Sequence, residues 1–222
     1  TNKTLFSIFK NNNLYDLLID SLKNDKNFNR VIIKDKFFYK TIIKNKKYDL
    51  IINCDANNEI SKKYFYRKFL KNYKSKAYVT TINHNKTENK NAIQIFTKYG
   101  PIAFLPISEN QTSIVYSIKN KSINMNSNLS QSTFEKLIFE NNKGYEIKSI
   151  NKFETFILKS KILRNYCNKN ILAFGDMLHQ IHPLSGQGFN MTLRDIKVFL
   201  DSLRYRVSLG LPIDYSICKE FE

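Results

Sequence analysis

The chain has 222 residues, 42% of them hydrophobic and 14% aromatic, enough to build a core for one large domain or one and a half average ones. The formal net charge of +17 comes from Lys spread through the chain together with Asn and Ile, a bias that reads as A/T-rich coding. Arginine occurs only at Arg30, Arg67, Arg164, Arg194, Arg204 and Arg206 and forms no stripe with interleaved aromatics, which argues against a nucleic-acid-binding module and leaves only a weak pull toward anionic lipid headgroups.

Asn13 to Asn24 reads as an amphipathic helix with Leu14, Leu17, Leu18 and Leu22 on one face. Arg30–Ile33 and Phe37–Ile43 read as short strands. Tyr48-Asp-Leu-Ile-Ile-Asn-Cys-Asp55 is a continuous apolar run that ends in Asp, the pattern of a parallel strand buried on both faces. Ser61–Lys76, charged and aromatic, reads as a crossover. The texture then changes to short alternating runs at Ala77–Ile82, Ala92–Thr97, Ile102–Pro106 and Thr112–Ile118, with turns at Tyr99-Gly100-Pro101 and Glu109-Asn110. In the last run Ile114, Tyr116 and Ile118 face one side and Ser113, Val115 and Ser117 the other. Ser130–Asn142 is a predicted helix with a capping box from Ser132 to Glu135. Glu146–Ile150, Glu154–Leu158 and Ile171–Phe174 return to strand. Asn190–Arg206 is a predicted helix with Leu193, Ile196, Leu200 and Leu203 along one face, broken at Gly210-Leu-Pro212.

Cys54, Cys167 and Cys218 are odd in number and widely spaced, which fits a reducing compartment better than a disulfide framework or a metal site. No apolar run approaches the roughly 18 residues that span a bilayer. The start at Thr1 and the helix-like ending Ile217-Cys-Lys-Glu-Phe-Glu222 lead us to expect a fragment of a longer protein.

The densest chemistry lies between Leu172 and Asp195. The whole chain has 6 glycines, and Gly175, Gly186 and Gly188 all fall at this strand-to-helix junction, where a bare backbone suits close approach to a ligand. Asp176 stands just past a strand end, the edge at which open α/β sheets bind ligands. A carboxylate there accepts hydrogen bonds from sugar or sugar-alcohol hydroxyls. Pro183 fixes the loop, and the start of the following helix adds free N–H groups and its positive end. His179 and His182 have a zinc-like spacing, but the only other histidine is His84 and no Cys lies nearby, so we expect no metal. Asn190 is expected to cap the helix and touch the ligand, and Asp195 to pair with a neighbouring Arg. Ser185 lacks a nucleophile elbow.

Gly175-Asp176, His179, His182-Pro183, Gly186-Gln187-Gly188, Asn190 and Asp195 together resemble the second FAD-binding motif of the flavoprotein aromatic hydroxylases related to p-hydroxybenzoate hydroxylase. Ala92–Ile107 resembles the substrate-domain segment of the ubiquinone-biosynthesis hydroxylases. Tyr48–Lys63, with Asp55 at its centre, resembles their middle Asp-Gly motif, although Ala56 stands here in place of the glycine. The similarity runs in order from about Leu14 to Glu222.

The resemblance implies an α/β (α+β) fold in which an antiparallel-sheet substrate domain (65–167) is inserted into a partial FAD-binding, Rossmann-like domain (1–64 and 168–222). The family's GxGxxG unit would precede Thr1. The implied activity is an FAD-dependent aromatic-ring monooxygenase that uses NAD(P)H and O2, acting on a polyprenylated phenol of ubiquinone biosynthesis. A hydroxylase of a soluble aromatic, or a non-catalytic paralogue kept for assembly, are the alternatives. The implied cofactor residues are Gly175, Asp176, Pro183, Gly186, Gln187, Gly188, Asn190 and Asp55, and no side chain is singled out as catalytic acid or base. The same resemblance implies a cytoplasmic protein peripheral to the inner membrane, associated with a ubiquinone-biosynthesis complex.

Overall fold

The computed structural model describes residues 7–9, 11–33, 35, 37–44, 47–120, 129–181 and 187–222. The chain divides into two units, Thr1–Arg30 with Lys74–Ile157 and Val31–Tyr73 with Leu158–Glu222. Strands β2 (Lys68–His84) and β7 (Glu154–Leu163) each contribute to both.

The first unit is built on an antiparallel meander. β3 (Ile93–Thr97), β4 (Gly100–Ser108) and β5 (Gln111–Lys119) follow one another through tight turns, and β5 then pairs with β2 from Ser75↔Lys119 to Asn83↔Gln111. β6 (Ile147–Ile150) also pairs with β2. Strand alternation sends Tyr78 and Ile82, Ile102 and Phe104, and Ile114, Tyr116 and Ile118 into one core. Helix α4 (Gln131–Glu140) closes it with Phe134, Leu137 and Ile138. The β5 alternation is the one expected from sequence.

The α4 cap differs from expectation. Ser130, not Ser132, precedes the helix, and its hydroxyl accepts from Thr133 N at 3.2 Å. His84 is buried in this unit with Nε2 3.0 Å from Thr112 Oγ1, a satisfied structural histidine. Helix α1 (Asn11–Leu22) forms where its leucine stripe predicted, yet none of its residues is buried and Leu17 is 69% exposed.

The second unit carries a parallel pair. β1 (Ile51–Asn53) lies beside β9 (Ile171–Ala173) in the register Ile51↔Ile171 to Asn53↔Ala173, and β8 (Cys167–Asn168) runs antiparallel on the far side of β9. β9 is buried throughout. Ile171 and Ala173 join a cluster with Ile60, Phe65, Leu163 and Met177, while Leu172 joins Phe174, Phe199, Ile217 and Cys218. The two clusters draw on helices α3 (Glu59–Tyr64), α5 (Gln187–Ser208) and α6 (Tyr215–Phe221). β1 departs from the doubly buried strand expected, because Ile52 is 46% exposed while its neighbour Asn53 is buried.

Three further expectations give way. Phe37–Lys44 is helix α2, not a strand, and Tyr39 and Ile43, one turn apart, are the residues that reach the core. Arg30–Ile33 takes no regular structure. The 61–76 stretch is not a loose crossover, since α3 runs to Tyr64 and β2 begins at Lys68.

Among the three free thiols, Cys54 is exposed, whereas Cys167 and Cys218 are buried. Burial pushes the Cys218 thiol up to about 11 and also raises those of Cys167 and Cys54, so access to solvent rather than acidity separates Cys54 from the other two. Under native conditions at mildly alkaline pH a disulfide reagent is therefore expected to modify Cys54 alone, with Cys167 and Cys218 reacting only after denaturation. Mass mapping of the labelled thiols checks this.

Candidate cofactor site at the carboxyl edge of the parallel strands

β1 and β9 end side by side, and Phe174 N donates to the Asn53 carbonyl at 3.0 Å just beyond their last paired residues. Asp55 follows the end of β1 and Asp176 the end of β9, so the parallel register delivers both carboxylates to one sheet edge. Both are exposed.

The Asp55 side is held by a polar network. Asp55 Oδ1 accepts from Asn57 N at 2.8 Å, and the Asp55 carbonyl accepts from Ser61 Oγ. Asn58 caps α3, its Oδ1 accepting from Ser61 N at 2.9 Å. Buried Asn53 donates through Nδ2 to Ser61 Oγ at 2.8 Å and accepts from Asn58 Nδ2 at 2.6 Å. Buried amides must be paired in this way or cost free energy. Ala56 turns the chain without entering the left-handed region, so this turn does not require the family's glycine.

The Asp176 side begins with Gly175 at φ +65, a conformation that L side chains rarely adopt. A single 3-10 turn, Gly175–Met177, follows and leaves the Asp176 carboxylate outward, with no hydrogen-bond partner among the described residues. Met177 and Leu178 anchor the turn in the core, and Asn53 Nδ2 reaches Met177 Sδ at 3.3 Å, tying the two strand ends together.

The chain continues into β10 (His179–Gln180), which pairs with β7. His179 is buried, and its Nε2 lies 2.7 Å from Asp195 Oδ2 on α5. This corrects the expectation that Asp195 pairs with an arginine. Asp195→Asn keeps an acceptor for Nε2–H but loses the charge, and is expected to lower stability by about 1 kcal/mol in chemical denaturation while leaving the secondary structure intact.

Helix α5 begins at Gln187, so Asn190 stands exposed in its first turn and is not its cap. Gln187 is exposed, and a Cβ on Gly188 would meet nothing within 4 Å. The stripe expected on α5 also differs. Phe199 is the buried residue and Leu203 packs beside it, while Leu193, Ile196 and Leu200 are 40–48% exposed. Pro183 and Gly186, with His182, lie outside the described residues.

No family model matches the chain. It is 27% identical over 150 residues to the ubiquinone hydroxylase UbiL of Rhodospirillum rubrum, covering 66% of this chain and 35% of that protein. It is 26% identical over 178 residues to the 3-demethoxyubiquinol 3-hydroxylase of Escherichia coli, covering 78% and 45%. The chain is thus similar to hydroxylases that act on ubiquinone and its precursors. It spans less than half the length of these two. Among solved structures it matches pqsL, a probable FAD-dependent monooxygenase from Pseudomonas aeruginosa, with TM-score 0.58 at 15% identity over 78% of this chain and 50% of that one. It also matches the flavin-dependent brominase Bmp2, with TM-score 0.59 at 10% identity over 78% and 46%. The fold is thus the mixed α/β, antiparallel-sheet architecture of flavoprotein monooxygenases and halogenases.

Sequence reading missed two parts of this edge. The Asn53–Asn58–Ser61 network had one visible signal, a polar residue closing an apolar run. The partnership of His179 with Asp195 had none, because it depends on how α5 folds back.

Proposed function

We propose that the chain forms the flavin-ring part of an FAD-dependent aromatic-ring hydroxylase that uses NAD(P)H and O2, with a polyprenylated phenol of ubiquinone biosynthesis as its substrate. The observation that carries this reading is the joint delivery of Asp55 and Asp176 to one edge of the parallel strands, beside the first turn of α5. The residues fit the cofactor. Asp176 is an exposed carboxylate without a hydrogen-bond partner among the described residues, suited to ribityl hydroxyls. Gly175 and Gly188 leave the backbone bare, and the first N–H groups of α5 have no intrahelical acceptor. Pro183, Gly186, Gln187 and Asn190 are assigned to the same cofactor by their place in the motif, and Asp55 by its place on the edge.

FAD, when bound, supplies the redox chemistry, taking reducing equivalents from NAD(P)H and delivering them to O2. The protein's part is to bind, orient and shield. Asp176 and the α5 backbone hold the flavin, with the helix's positive end favouring negative charge on it. In the antiparallel unit, the sheet face away from α4 carries Ala77, Val79, Thr81, Ala103, Ser113, Val115 and Ser117 together with Leu105, and this mostly small-residue face is the one assigned to the aromatic ring. The kind of substrate rests on the relatives' names, which are those of ubiquinone-biosynthesis hydroxylases. Among the described residues no helix is long and apolar enough to cross a membrane, and the reading places the protein at the membrane surface only through the lipid tail of its substrate.

Titration of FAD into the full-length protein, followed by quenching of flavin fluorescence, tests the reading. Saturable quenching, and hydroxylation of a prenylated phenol on addition of NAD(P)H, are expected. A protein that stays colourless and leaves FAD fluorescence unchanged refutes it.

A further inference from the structure

The strand pairing beside Asp176 gathers two lysines whose presence the core does not require. β10 pairs antiparallel with β7 so that Lys161 stands opposite Gln180. Arg164 N donates to the Arg67 carbonyl at 3.0 Å, which brings the start of β2, with Lys68, alongside the same part of β7. Lys161 is close enough to both Lys68 and Asp176 to feel their charges. All three belong to the second unit.

Lys161 is half-buried, and among the described residues neither it nor Lys68 forms an ion pair. Burial, and then the neighbouring Lys68, hold the Lys161 ammonium below the usual lysine value, against the opposing pull of Asp176. Partly burying an ammonium next to a second one is unfavourable, and packing alone would be served better by an apolar side chain. Two ammoniums against one carboxylate leave the cluster net cationic. Its chemistry is also divided. Lysines bind phosphoryl oxygens as point charges, and a carboxylate beside them accepts from hydroxyls. That combination matches a polyol joined to a phosphate.

We infer that Lys161 and Lys68 form a phosphoryl-binding subsite next to Asp176, taking the phosphate that adjoins the polyol of a bound dinucleotide. The identity of the occupant rests on the flavin reading above. The phosphate belongs to the flavin dinucleotide or to the nicotinamide dinucleotide, and the two are separated by experiment.

The probe is inorganic pyrophosphate, added to the protein during trace acetylation of its lysines with mass-spectrometric readout. Lys161 and Lys68 should be protected several-fold, while Lys86, paired with Glu109 at 2.7 Å on the surface, should not be. By calorimetry, Lys161→Met should weaken pyrophosphate binding about tenfold, a loss of about 1.4 kcal/mol, and Lys161→Arg should restore most of it. Lys86→Met should leave it unchanged. Displacement of pyrophosphate by FAD but not by NADPH assigns the subsite to the flavin, and the reverse assigns it to the reductant; both uphold it. Equal protection of all surface lysines, or none, overturns it.

The two readings also fail separately. FAD that binds wild type and Lys161→Met alike, with the lysines unprotected by pyrophosphate, removes the subsite and leaves the flavin standing. Pyrophosphate that protects Lys161 and Lys68 in a protein that takes no FAD does the opposite.

Discussion

Gly100→Ala should unfold the antiparallel unit under conditions in which the wild type is stable. Gly100 opens β4 at φ +141, and a Cβ built there would fall 2.0 Å from the carbonyl oxygen of Ser117 and 3.2 Å from its carbon. Both atoms are backbone, so no side chain can swing aside. Ser117 belongs to β5, which is paired on both edges, and its neighbours Tyr116 and Ile118 lie in the core. The strand therefore cannot retreat without moving that core. Backbone strain at such a φ and steric overpacking together should cost roughly 3–5 kcal/mol, a large share of the 5–15 kcal/mol typical of a domain. Circular dichroism and calorimetry of the variant should show a transition shifted well below that of wild type. An unchanged melting temperature would contradict the β3–β4 turn as described.

Asp176→Ala has the opposite profile. The carboxylate is exposed and makes no hydrogen bond or ion pair among the described residues, while the turn that carries it is fixed by Gly175, Met177 and Leu178. Removing it should leave stability almost untouched. If it accepts hydrogen bonds from the flavin's polyol, charge-assisted bonds of about 1.5–3 kcal/mol disappear, and FAD affinity should fall roughly 10- to 100-fold. The comparison of Kd by fluorescence quenching with Tm by calorimetry separates the two roles. Full flavin affinity in the variant would remove Asp176 from the site.

The elements that sequence reading identified correctly share a physical reason. Ile171–Phe174 is short, uninterrupted and apolar because both of its sides are covered, and β3–β5 alternate because only one side of the sheet meets α4. The errors share one too. Phe37-Phe-Tyr-Lys-Thr-Ile-Ile43 is aromatic and β-branched, a composition that suits strands, and at that length a strand and a helix show the same apolar density; only the spacing of Tyr39 and Ile43 betrays the turn. On α5 the leucine stripe is more regular than the contact it makes, and Phe199, the buried residue of the helix, takes its place. Of the candidate site, Gly175 and Asp176 were legible because glycine is scarce in this chain and a strand end is a recognisable place. Their supports were not, since Asn53, Ser61 and Asp195 act through tertiary neighbours.

The double covering of β9 also sets how the candidate site moves. Ile171 and Ala173 are gripped from one side and Leu172 from the other, so opening this strand requires both clusters to come apart at once. Its amides should therefore exchange with solvent only through the largest opening of their unit, whereas those of α1, which buries nothing, should exchange through local fraying. Hydrogen-exchange mass spectrometry should find the slowest peptides around Ile171–Phe174. The carboxylate at 176 would then ride on the stiffest backbone of its unit, and its aim would be set before any ligand arrives.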